Sequence, residues 1–557
     1  AETSAAISVA AQDVVALRSL NDTVQLARAA NLVSKDQYAE AIEPLQIYLT
    51  TASHDARTEQ ALSTLAICLM RSNRIDDAQR TLMELRKQFP QSKQLVLTAA
   101  QIADAAYDAG QFKVAADLFA ELATSGGSPE IVAKGLAGIG WCRYQLGDFE
   151  GANFAMEQFL EKFPTDGAAP ETALMRGQAL EKLKKDDQAA IVYRQALKRY
   201  PQTKQMPQLL LAAARLYDRI GQDEEAVPIY DRVVREYPKS PDVDAVLYDL
   251  AWSLRDLGRA NDSDKVFHKL CDEHPGSKFY GDATYRLAER ASQHSENDMA
   301  RGLLAPLLAK EDCPADVREH ALYLMAQMAI GEEKWCTAEP FLTHMVQSFP
   351  DGKLCVPAQF WLAEIAFRSG DYAMAQERFD AVAPQVSDHS EPWMAIVPLR
   401  RAQILAGQKQ WAAARTMAET VAQDYPKFDR LFEADYVIGR ALAAEEKYDE
   451  ARTAFTRVVQ SASGGKTETA AMAQLKIADA YFQQDDYQAA LREYLRVDTL
   501  YGFPHWQASA LLQAARCYEK LGQQKDAGEL YARVLQSYPQ TEFVAEASRK
   551  LMETTRK

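Results

Sequence analysis

The sequence predicts an all-α protein, a right-handed α-solenoid of about 14 helix-turn-helix units with terminal capping helices. Three observations support this prediction. A small residue recurs every 37–39 residues, a second small residue lies twelve positions before it, and a large apolar residue lies four positions after it in thirteen units. Units of this length are typical of repeats that cannot bury a core alone, so each must pack against its neighbours.

Two small positions mark each unit, and we call the first the A anchor and the second the B anchor. The A anchors are Ala29, Ala66, Ala103, Gly140, Gly177, Ala214, Ala251, Ala288, Ala326, Ala363, Ala402, Gly439, Ala478 and Ala515. The B anchors are Ala41, Ala78, Ala115, Ala152, Ala189, Ala226, Ser263, Ala300, Ala338, Ala375, Ala414, Ala451, Ala490 and Ala527. Residues four positions apart share one helical face, so the large apolar residue fills the space beside the B anchor.

A polar turn separates the two anchors of each unit. Examples are GDFEG at 147–151, GQDEE at 221–225 and GDYAM at 370–374. Glycine adopts the left-handed conformation that ends many helices, and aspartate is a favoured N-cap residue. Each unit is therefore predicted to consist of helix A, a short turn and helix B.

An aromatic residue followed by proline recurs after helix B, for example at Tyr200-Pro201 and Tyr237-Pro238. Proline lacks an N–H and clashes with the preceding helical turn, so it predicts the end of helix B. After the second of these pairs, Ser240-Pro241 places an N-cap residue before a residue type favoured at the first helical position. We therefore expect the next helix A to begin there.

The two ends of the chain flank the repeats. Residues 1–21 are predicted to form an N-terminal capping segment, residues 22–539 the solenoid, and residues 540–557 a C-terminal capping helix. The chain begins with Ala1 and further small residues, which fits both the mature end left by removal of a signal peptide and a trimmed chain. The sequence does not separate these two origins.

The composition restricts the classes of partner. The 557-residue chain has a formal net charge of −15 and no block of Lys and Arg, so we expect no nucleic-acid partner. Its apolar runs fall far short of the ~20 residues of a membrane span, so we expect no transmembrane segment. The seven cysteines show no CxxC or other ligand spacing. We expect them to be small apolar residues and not a disulfide framework.

The spacing of the small residues, the aromatic residue and the proline resembles the tetratricopeptide repeat (TPR). The resemblance extends over residues 22–539, although the unit here has 37 residues where the TPR consensus has 34. The 37-residue form with Tyr/Phe-Pro-x-Ser/Thr is similar to bacterial cell-envelope TPR proteins of the Tol–Pal-associated and outer-membrane-assembly types. This resemblance implies a periplasmic adaptor that binds other proteins, with a membrane-protein complex as one setting.

In TPR proteins the side chains of helix A line the concave face, and the resemblance therefore implies a set of partner-binding residues. They are Trp141, Tyr144, Arg215, Arg219, Tyr248, Trp252, Arg255, Tyr285, Arg286, Trp361 and Arg368, with Phe367 and Tyr436 among further inward candidates. Aromatic residues and arginine are enriched at interface hot spots, so an extended peptide or a partner helix could lie across them. Alternatively, the aromatic rings are core between adjacent A helices and the arginines are only solvated.

No catalytic pattern stands out in the sequence. The chain has no HExxH or GxSxG motif, and SGGKT at 463–467 has Gln460 where a phosphate-binding loop has its first glycine. The polar cluster 271–274 lacks a second group of metal ligands. We therefore expect no catalytic residue, no metal site and no cofactor. No unit has the Lys and Asn pair with which the TPR clamp binds the C-terminal carboxylates of heat-shock chaperones, so that kind of co-factor is not expected.

The sequence thus favours a non-catalytic protein-interaction scaffold of the bacterial cell envelope, located in the periplasm. One alternative is a periplasmic TPR subunit of a secretion or polysaccharide-export machine. Another is a cytoplasmic adaptor, which the free cysteines favour. An enzyme or a small-ligand binder is the least favoured class. The sequence predicts neither the identity of a partner nor the oligomeric state.

Overall fold

The computed structural model describes residues 20–52, 54–125, 127–386 and 392–555. The chain divides into two compact units, unit 1 from Ala1 to Thr284 and unit 2 from Tyr285 to Lys557. Within the described ranges every regular element is a helix, and no strand is present. The predicted all-α class is confirmed.

Helices with an A anchor alternate with helices with a B anchor. In unit 1 the helices are α1 (20–33), α2 (Tyr38–Thr51), α3 (Ala56–Arg71), α4 (Ile75–Gln88), α5 (Lys93–Asp108), α6 (Phe112–Thr124), α7 (Pro129–Gln145), α8 (Phe149–Lys162), α9 (Ala169–Lys182), α10 (Asp186–Arg199), α11 (Met206–Arg219), α12 (Asp223–Glu236), α13 (Val243–Asp256) and α14 (Ala260–Glu273). Helix α15 (Tyr280–Gln293) contains the boundary between the units.

Unit 2 continues the same alternation. Its helices are α16 (Asn297–Ala309), α17 (Ala315–Gly331), α18 (Trp335–Ser348), α19 (Cys355–Arg368), α20 (Tyr372–Val382), α21 (Ile396–Gly407), α22 (Trp411–Asp424), α23 (Leu431–Ala444), α24 (Tyr448–Gln460), α25 (Glu468–Gln483), α26 (Tyr487–Leu500), α27 (Pro504–Lys520), α28 (Gln524–Ser537) and α29 (Val544–Thr555), with 3₁₀ turns at Ala383–Gln385 and Pro392–Ala395. The odd-numbered helices α1 to α27 are the A helices, and the even-numbered helices α2 to α28 are the B helices. Consecutive helices pack against each other within each unit, as the predicted solenoid requires.

The anchors lie at the contact between helix A and helix B of each unit. Every B anchor is at most 1% exposed. A Cβ atom added to the A anchor Gly177 would lie 2.1 Å from the ring of Tyr193, the large residue that follows the B anchor Ala189. Where the B anchor is Ser263, its hydroxyl donates to the carbonyl of Ala251, the A anchor of the same unit, at 2.7 Å. The predicted pairing of small and large residues is therefore confirmed.

A residue in the left-handed conformation ends helix A in all fourteen repeats. It lies five positions before the B anchor and has a φ between 56° and 83°. Six of these residues are glycine (Gly110, Gly147, Gly221, Gly258, Gly370, Gly522) and eight are not (Asp36, Asn73, Lys184, Ser295, Glu333, Lys409, Glu446, Asp485). In every unit the N–H of the next residue donates to the carbonyl five residues earlier, at 2.8–3.1 Å. This is the Schellman pattern, and glycine is not required for it here.

Aspartate caps helix B in two of the three turns quoted above, whereas in GQDEE the N-cap position is Gln222 without a side-chain cap hydrogen bond. The carboxylate of Asp148 accepts a hydrogen bond from the Gly151 N–H at 2.9 Å, and that of Asp371 accepts one from the Met374 N–H at 3.0 Å. These N-caps satisfy one of the backbone donors that have no partner within the helix.

The aromatic-proline pairs Tyr200-Pro201 and Tyr237-Pro238 end helix B as predicted, whereas Phe503-Pro504 lies at the start of helix A α27. Helix α10 ends at Arg199 and α12 ends at Glu236, so each helix stops one residue before the aromatic residue. Tyr200 and Tyr237 leave the helical conformation with φ angles of −119° and −130°. The next residue is proline in both cases, which cannot continue the helix.

The prediction that Ser240-Pro241 starts the next helix A is wrong. Helix α13 begins at Val243, and its N-cap position is Asp242 without a side-chain cap hydrogen bond. The Ser240 N–H instead donates to the Tyr237 carbonyl at 2.9 Å, which closes a turn on the end of α12. The related serine Ser92 does cap its helix A, accepting a hydrogen bond from the Leu95 N–H at 3.1 Å.

The two terminal segments are described to different extents. The predicted N-terminal capping segment 1–21 lies outside the described residues except for residues 20 and 21, which belong to α1. At the other end α29 follows the last B helix, and its Ala547 is buried in one cluster with Leu511 and Tyr531. The capping roles of both segments and the limits 22–539 stay predictions. No helix of the described ranges has the length and apolar character needed to cross a bilayer.

The turn residues give a direct test of the left-handed conformation. We expect Lys184→Gly to raise the free energy of unfolding by about 0.5–1 kcal/mol, because a lysine side chain is strained at positive φ. The opposite change at the equivalent position of the next repeat, Gly221→Ala, should lower the free energy of unfolding by about 1 kcal/mol. Both residues are exposed, so contacts are little changed. Urea unfolding followed by circular dichroism measures both effects, and shifts of the same sign would contradict this explanation.

Candidate binding surface on the A helices

The structure places the eleven predicted binding residues at three levels of exposure. Arg215, Arg219 and Arg368 are exposed; Trp141, Tyr144, Tyr248, Trp252, Arg255, Arg286 and Trp361 are half-buried; Tyr285 is buried, with 8% exposure. All of them belong to A helices. We call the partly exposed side of these helices, defined by these residues and their neighbours at the same positions relative to the A anchors, the A-helix surface.

In unit 1, Tyr144 and two of the predicted arginines surround one cavity of about 610 Å³. Both arginines are engaged in ion pairs: Arg215 contacts Asp249 at 3.2 Å, and Arg219 contacts Glu181 at 2.7 Å and Asp186 at 2.9 Å. Burial raises the pKa of Asp249, although Arg215 opposes this effect. These arginines therefore contribute first to contacts between successive repeats.

Tyr248, Trp252 and Arg255 come together as one cluster in α13. The Tyr248 hydroxyl donates to Asp282 at 2.7 Å, and its ring stacks on Phe279 with 4.5 Å between ring centroids. The Arg255 guanidinium lies 5.4 Å from the centroid of the Trp252 ring, within cation–π distance. The cluster therefore presents a rigid aromatic and cationic surface of the kind that the sequence suggested.

The predicted residues of unit 2 are also held by neighbours. Arg286 lies 5.1 Å from the centroid of the Tyr285 ring. Trp361 packs edge-on against Phe360 at 5.2 Å. Arg368 donates to Glu364 at 2.9 Å. These side chains pack within the repeats, which agrees with the alternative that many of the aromatic rings contribute to the core.

A second aromatic contact recurs at the turn between helix A and helix B. The residue four positions after the A anchor packs edge-on against the first residue of helix B, with centroids 5.2–5.5 Å apart. The pairs are Tyr107–Phe112, Tyr144–Phe149, Phe367–Tyr372 and Phe482–Tyr487. Edge-to-face geometry is favourable for aromatic pairs. The rings of Tyr144 and Phe367 are therefore fixed by their own units, with part of each ring left accessible.

The most buried ion pair of the A-helix surface was not among the predicted residues. Arg400 and Glu364 are 7% and 3% exposed, and their side chains form two hydrogen bonds of 2.8 and 2.9 Å. Arg400 also donates to Gln403 at 2.8 Å and lies 4.5 Å from the centroid of the Phe367 ring. It joins α19 to α21 across two repeats.

A positional rule explains this pair and others like it. In several repeats the residue directly after the A anchor contacts the next A helix, at the residue two or six positions before that helix's anchor. The pairs are Arg215–Asp249, Glu364–Arg400, Gln403–Glu433 and Asp104–Lys134. Each partner can be read from the sequence once the anchors are aligned, and this signal could have identified Arg400.

The described residues contain no group of three or more His, Cys, Asp or Glu side chains that could hold a metal ion. Gly464 of SGGKT is buried, and a Cβ atom added to it would lie 2.3 Å from the ring of Phe432. The Ser463 hydroxyl of the same loop donates to the Asp429 carbonyl at 2.6 Å. This loop is thus closely packed against the preceding repeat.

The fold defines a class of protein, an all-α repeat protein built of stacked helix pairs. Three family models then match the chain. One described as tetratricopeptide repeat-like domain matches residues 316–469; one described as tetratricopeptide repeat matches residues 60–92, 208–240, 245–277 and 509–541; another of the latter description matches residues 138–203. Together these ranges cover more than half of the chain, which belongs to the tetratricopeptide-repeat superfamily.

Solved structures match the chain at low sequence identity. The structure of Naa15/Naa10 bound to HypK is 13% identical, with a TM-score of 0.32, over 96% of this chain and 93% of that chain. The APC/C hetero-tetramer Cut9-Hcn1 is 15% identical, with a TM-score of 0.35, over 92% and 98%. The C-terminal part of a TPR repeat-containing protein from Cytophaga hutchinsonii is 18% identical, with a TM-score of 0.37, over 46% and 98%. No curated protein sequence matches the chain.

Because the ion pair between Glu364 and Arg400 is buried, we expect the stability of the protein to fall strongly when only one of the two side chains is removed. We expect Glu364→Leu to lower the free energy of unfolding by about 3 kcal/mol, because it leaves the Arg400 charge buried without its main partner. The double variant Glu364→Leu/Arg400→Met should recover most of this loss. Arg215→Ala, which removes the exposed arginine of the Arg215–Asp249 pair, should cost less, about 1 kcal/mol.

Urea unfolding of the wild type, Glu364→Leu, Arg400→Met and the double variant, analysed as a double-mutant cycle, measures the coupling between Glu364 and Arg400. A double variant as unstable as the sum of its single variants would show that the two side chains do not act as a pair.

Proposed function

We propose that the chain is a non-catalytic scaffold of the bacterial cell envelope that binds peptides or helices of partner proteins along the A-helix surface. Membership of the tetratricopeptide-repeat superfamily supports the scaffold class. The observation that carries the proposal is the cavity beside Tyr144, Arg215 and Arg219, where aromatic and cationic side chains from successive A helices meet. Such side chains form the hot spots of many protein interfaces.

The envelope and periplasmic assignment rests on the sequence resemblance of the 37-residue unit. The setting within a membrane-protein complex has the same basis and belongs to the same proposal. A scaffold in that compartment would hold its partners through the A-helix surface and leave the B helices free for further contacts.

A cytoplasmic adaptor is the second candidate, because the structure contains seven free cysteines. Cytoplasmic proteins keep such thiols reduced. Burial raises the pKa of Cys68 to about 11 and that of Cys517 to about 12, so these thiols stay protonated and unreactive. Cys336, in contrast, is exposed. An exposed free thiol is more compatible with a reducing compartment.

Photo-crosslinking in the source cell tests the surface. A photoreactive amino acid is placed at Lys182, which is exposed and lines the cavity of unit 1, and in a control protein at Ile191, which is 51% exposed on the B helix of the same repeat. We expect a defined protein adduct from position 182, reduced several-fold when Arg215 and Tyr144 are both changed to Ala. Equal adducts from both positions, or none from either, would contradict binding at the A-helix surface.

Selective release of the periplasmic contents of the same cells tests the compartment. We expect the chain to appear with a periplasmic marker protein because of its resemblance to envelope TPR proteins. Retention with a cytoplasmic marker would exclude the periplasmic assignment and favour the cytoplasmic adaptor.

A further inference from the structure

A cavity of about 500 Å³ lies among the A helices of unit 2. Its walls come from α19, α21, α23 and α25, with Tyr372 at the start of α20, and include Phe367, Arg400, Tyr436, Arg440 and Met472. A volume of this size is within the range of cavities that hold ligands. The cavity therefore extends over four consecutive repeats of the A-helix surface.

Arg440 directly follows the A anchor Gly439, the position whose residues pair with the next A helix in other repeats. Those partners lie two or six positions before the next anchor, as Asp249 and Glu433 do. On α25 the equivalent positions are Lys476 and Met472. Neither residue accepts a hydrogen bond from a guanidinium strongly, and one of them carries a like charge. The pairing found in those repeats is thus absent at Arg440.

The Arg440 side chain is nevertheless held in place. Its guanidinium carbon lies 5.5 Å from the centroid of the Trp411 ring, which is a cation–π contact. The side chain is half-buried, and over the described ranges it has no ion pair or hydrogen bond. Tyr436 lies one helical turn earlier, where burial raises the pKa of its hydroxyl. A fixed, partly desolvated cation therefore faces a cavity without a protein counter-ion.

The nearby carboxylates are already engaged. Glu433 contacts Arg430 at 2.6 Å and accepts a hydrogen bond from Gln403 at 2.8 Å. Asp479 accepts hydrogen bonds from Lys476 at 2.8 Å and from the Tyr494 hydroxyl at 2.6 Å. Since both carboxylates have their own partners, neither neutralises the guanidinium, and an external anion is electrostatically favoured there.

We propose that this cavity binds an extended segment of a partner protein that presents an internal Asp or Glu side chain to Arg440 and a large apolar side chain to Phe367, Tyr436 and Met472. This inference rests on the proposed scaffold function. Guanidinium and carboxylate groups form two parallel hydrogen bonds, which provides specificity as well as affinity. Because the cavity spans four repeats, the partner chain can continue on both sides, which favours an internal side chain over a terminal carboxylate.

Peptide selection tests this proposal. A library of random nine-residue peptides, flanked by linkers at both ends, is selected against the full chain, against Arg440→Gln and against Arg516→Gln. Arg516 is a matched control because it also follows an A anchor, but its guanidinium donates to Glu546. We expect peptides with an acidic residue beside a large apolar one to be enriched by the wild type and by Arg516→Gln, and the acidic preference to be lost with Arg440→Gln.

Calorimetric titration then measures the contribution of the charge. One enriched peptide and its Asp→Asn or Glu→Gln analogue are titrated into the wild type, where the analogue should bind about tenfold more weakly. With Arg440→Gln the two peptides should bind equally, and Arg440→Lys should restore part of the difference. If Arg440→Lys keeps part of the difference in affinity between the two peptides, the positive charge and not a loss of folding explains the result with Arg440→Gln. Thermal unfolding of each variant checks the fold.

The outcomes distinguish this inference from the scaffold function. Enriched peptides without an acidic residue, an acidic preference that persists in Arg440→Gln, or a requirement for a free C-terminus would overturn the inference and leave the scaffold function intact. Absence of any enriched peptide overturns the inference as well. Only if photo-crosslinking at position 182 also yields no adduct does the proposed function fail with it.

Discussion

The close approach of helix A to helix B is the constraint on which the rest of the structure depends. It requires a small residue at each of two positions twelve residues apart, since larger side chains would separate the backbones. At Gly177 even a methyl group would overlap the ring of Tyr193. Once these contacts fix the geometry of one unit, each unit buries its remaining apolar face only against its neighbours. The period of the chain, the alternation of helices and the pairing of residues between repeats all follow from this contact.

Much of the fold could be predicted from the sequence because the determining signals are local and repeated. The anchors, the turns and the aromatic-proline pairs each recur at a nearly fixed spacing, so an atypical residue in one repeat does not obscure the pattern of the other thirteen. The start of α13 could not be predicted in this way, because Ser240-Pro241 satisfies a local capping rule while Ser240 closes a turn on the end of α12 and the helix begins at Val243. The sequence also did not indicate the left-handed conformation of residues such as Lys184, because glycine is the residue type that adopts positive φ most readily.

The binding surface was less predictable, because it depends on contacts between repeats. The sequence indicated that aromatic and arginine residues line the A helices, but it did not indicate the side chains with which they pair. Arg215 is paired with a residue 34 positions away, and Arg400 with one 36 positions away. Most of the charged groups of the A-helix surface thus stabilise the stack first. We propose that recognition is concentrated where this internal pairing is absent, as at Arg440, because the next A helix has Lys476 and Met472 at the two partner positions.

The left-handed turns have a consequence for the evolution of this protein. Eight of the fourteen turn residues are not glycine, and each is strained independently of the others. They lie at the ends of the A helices, away from the positions that contact the next repeat. A lineage can therefore adjust stability one turn at a time and acquire new side chains on the A-helix surface without losing the fold. The turns thus provide a way to change stability that leaves the side chains of the A-helix surface as they are.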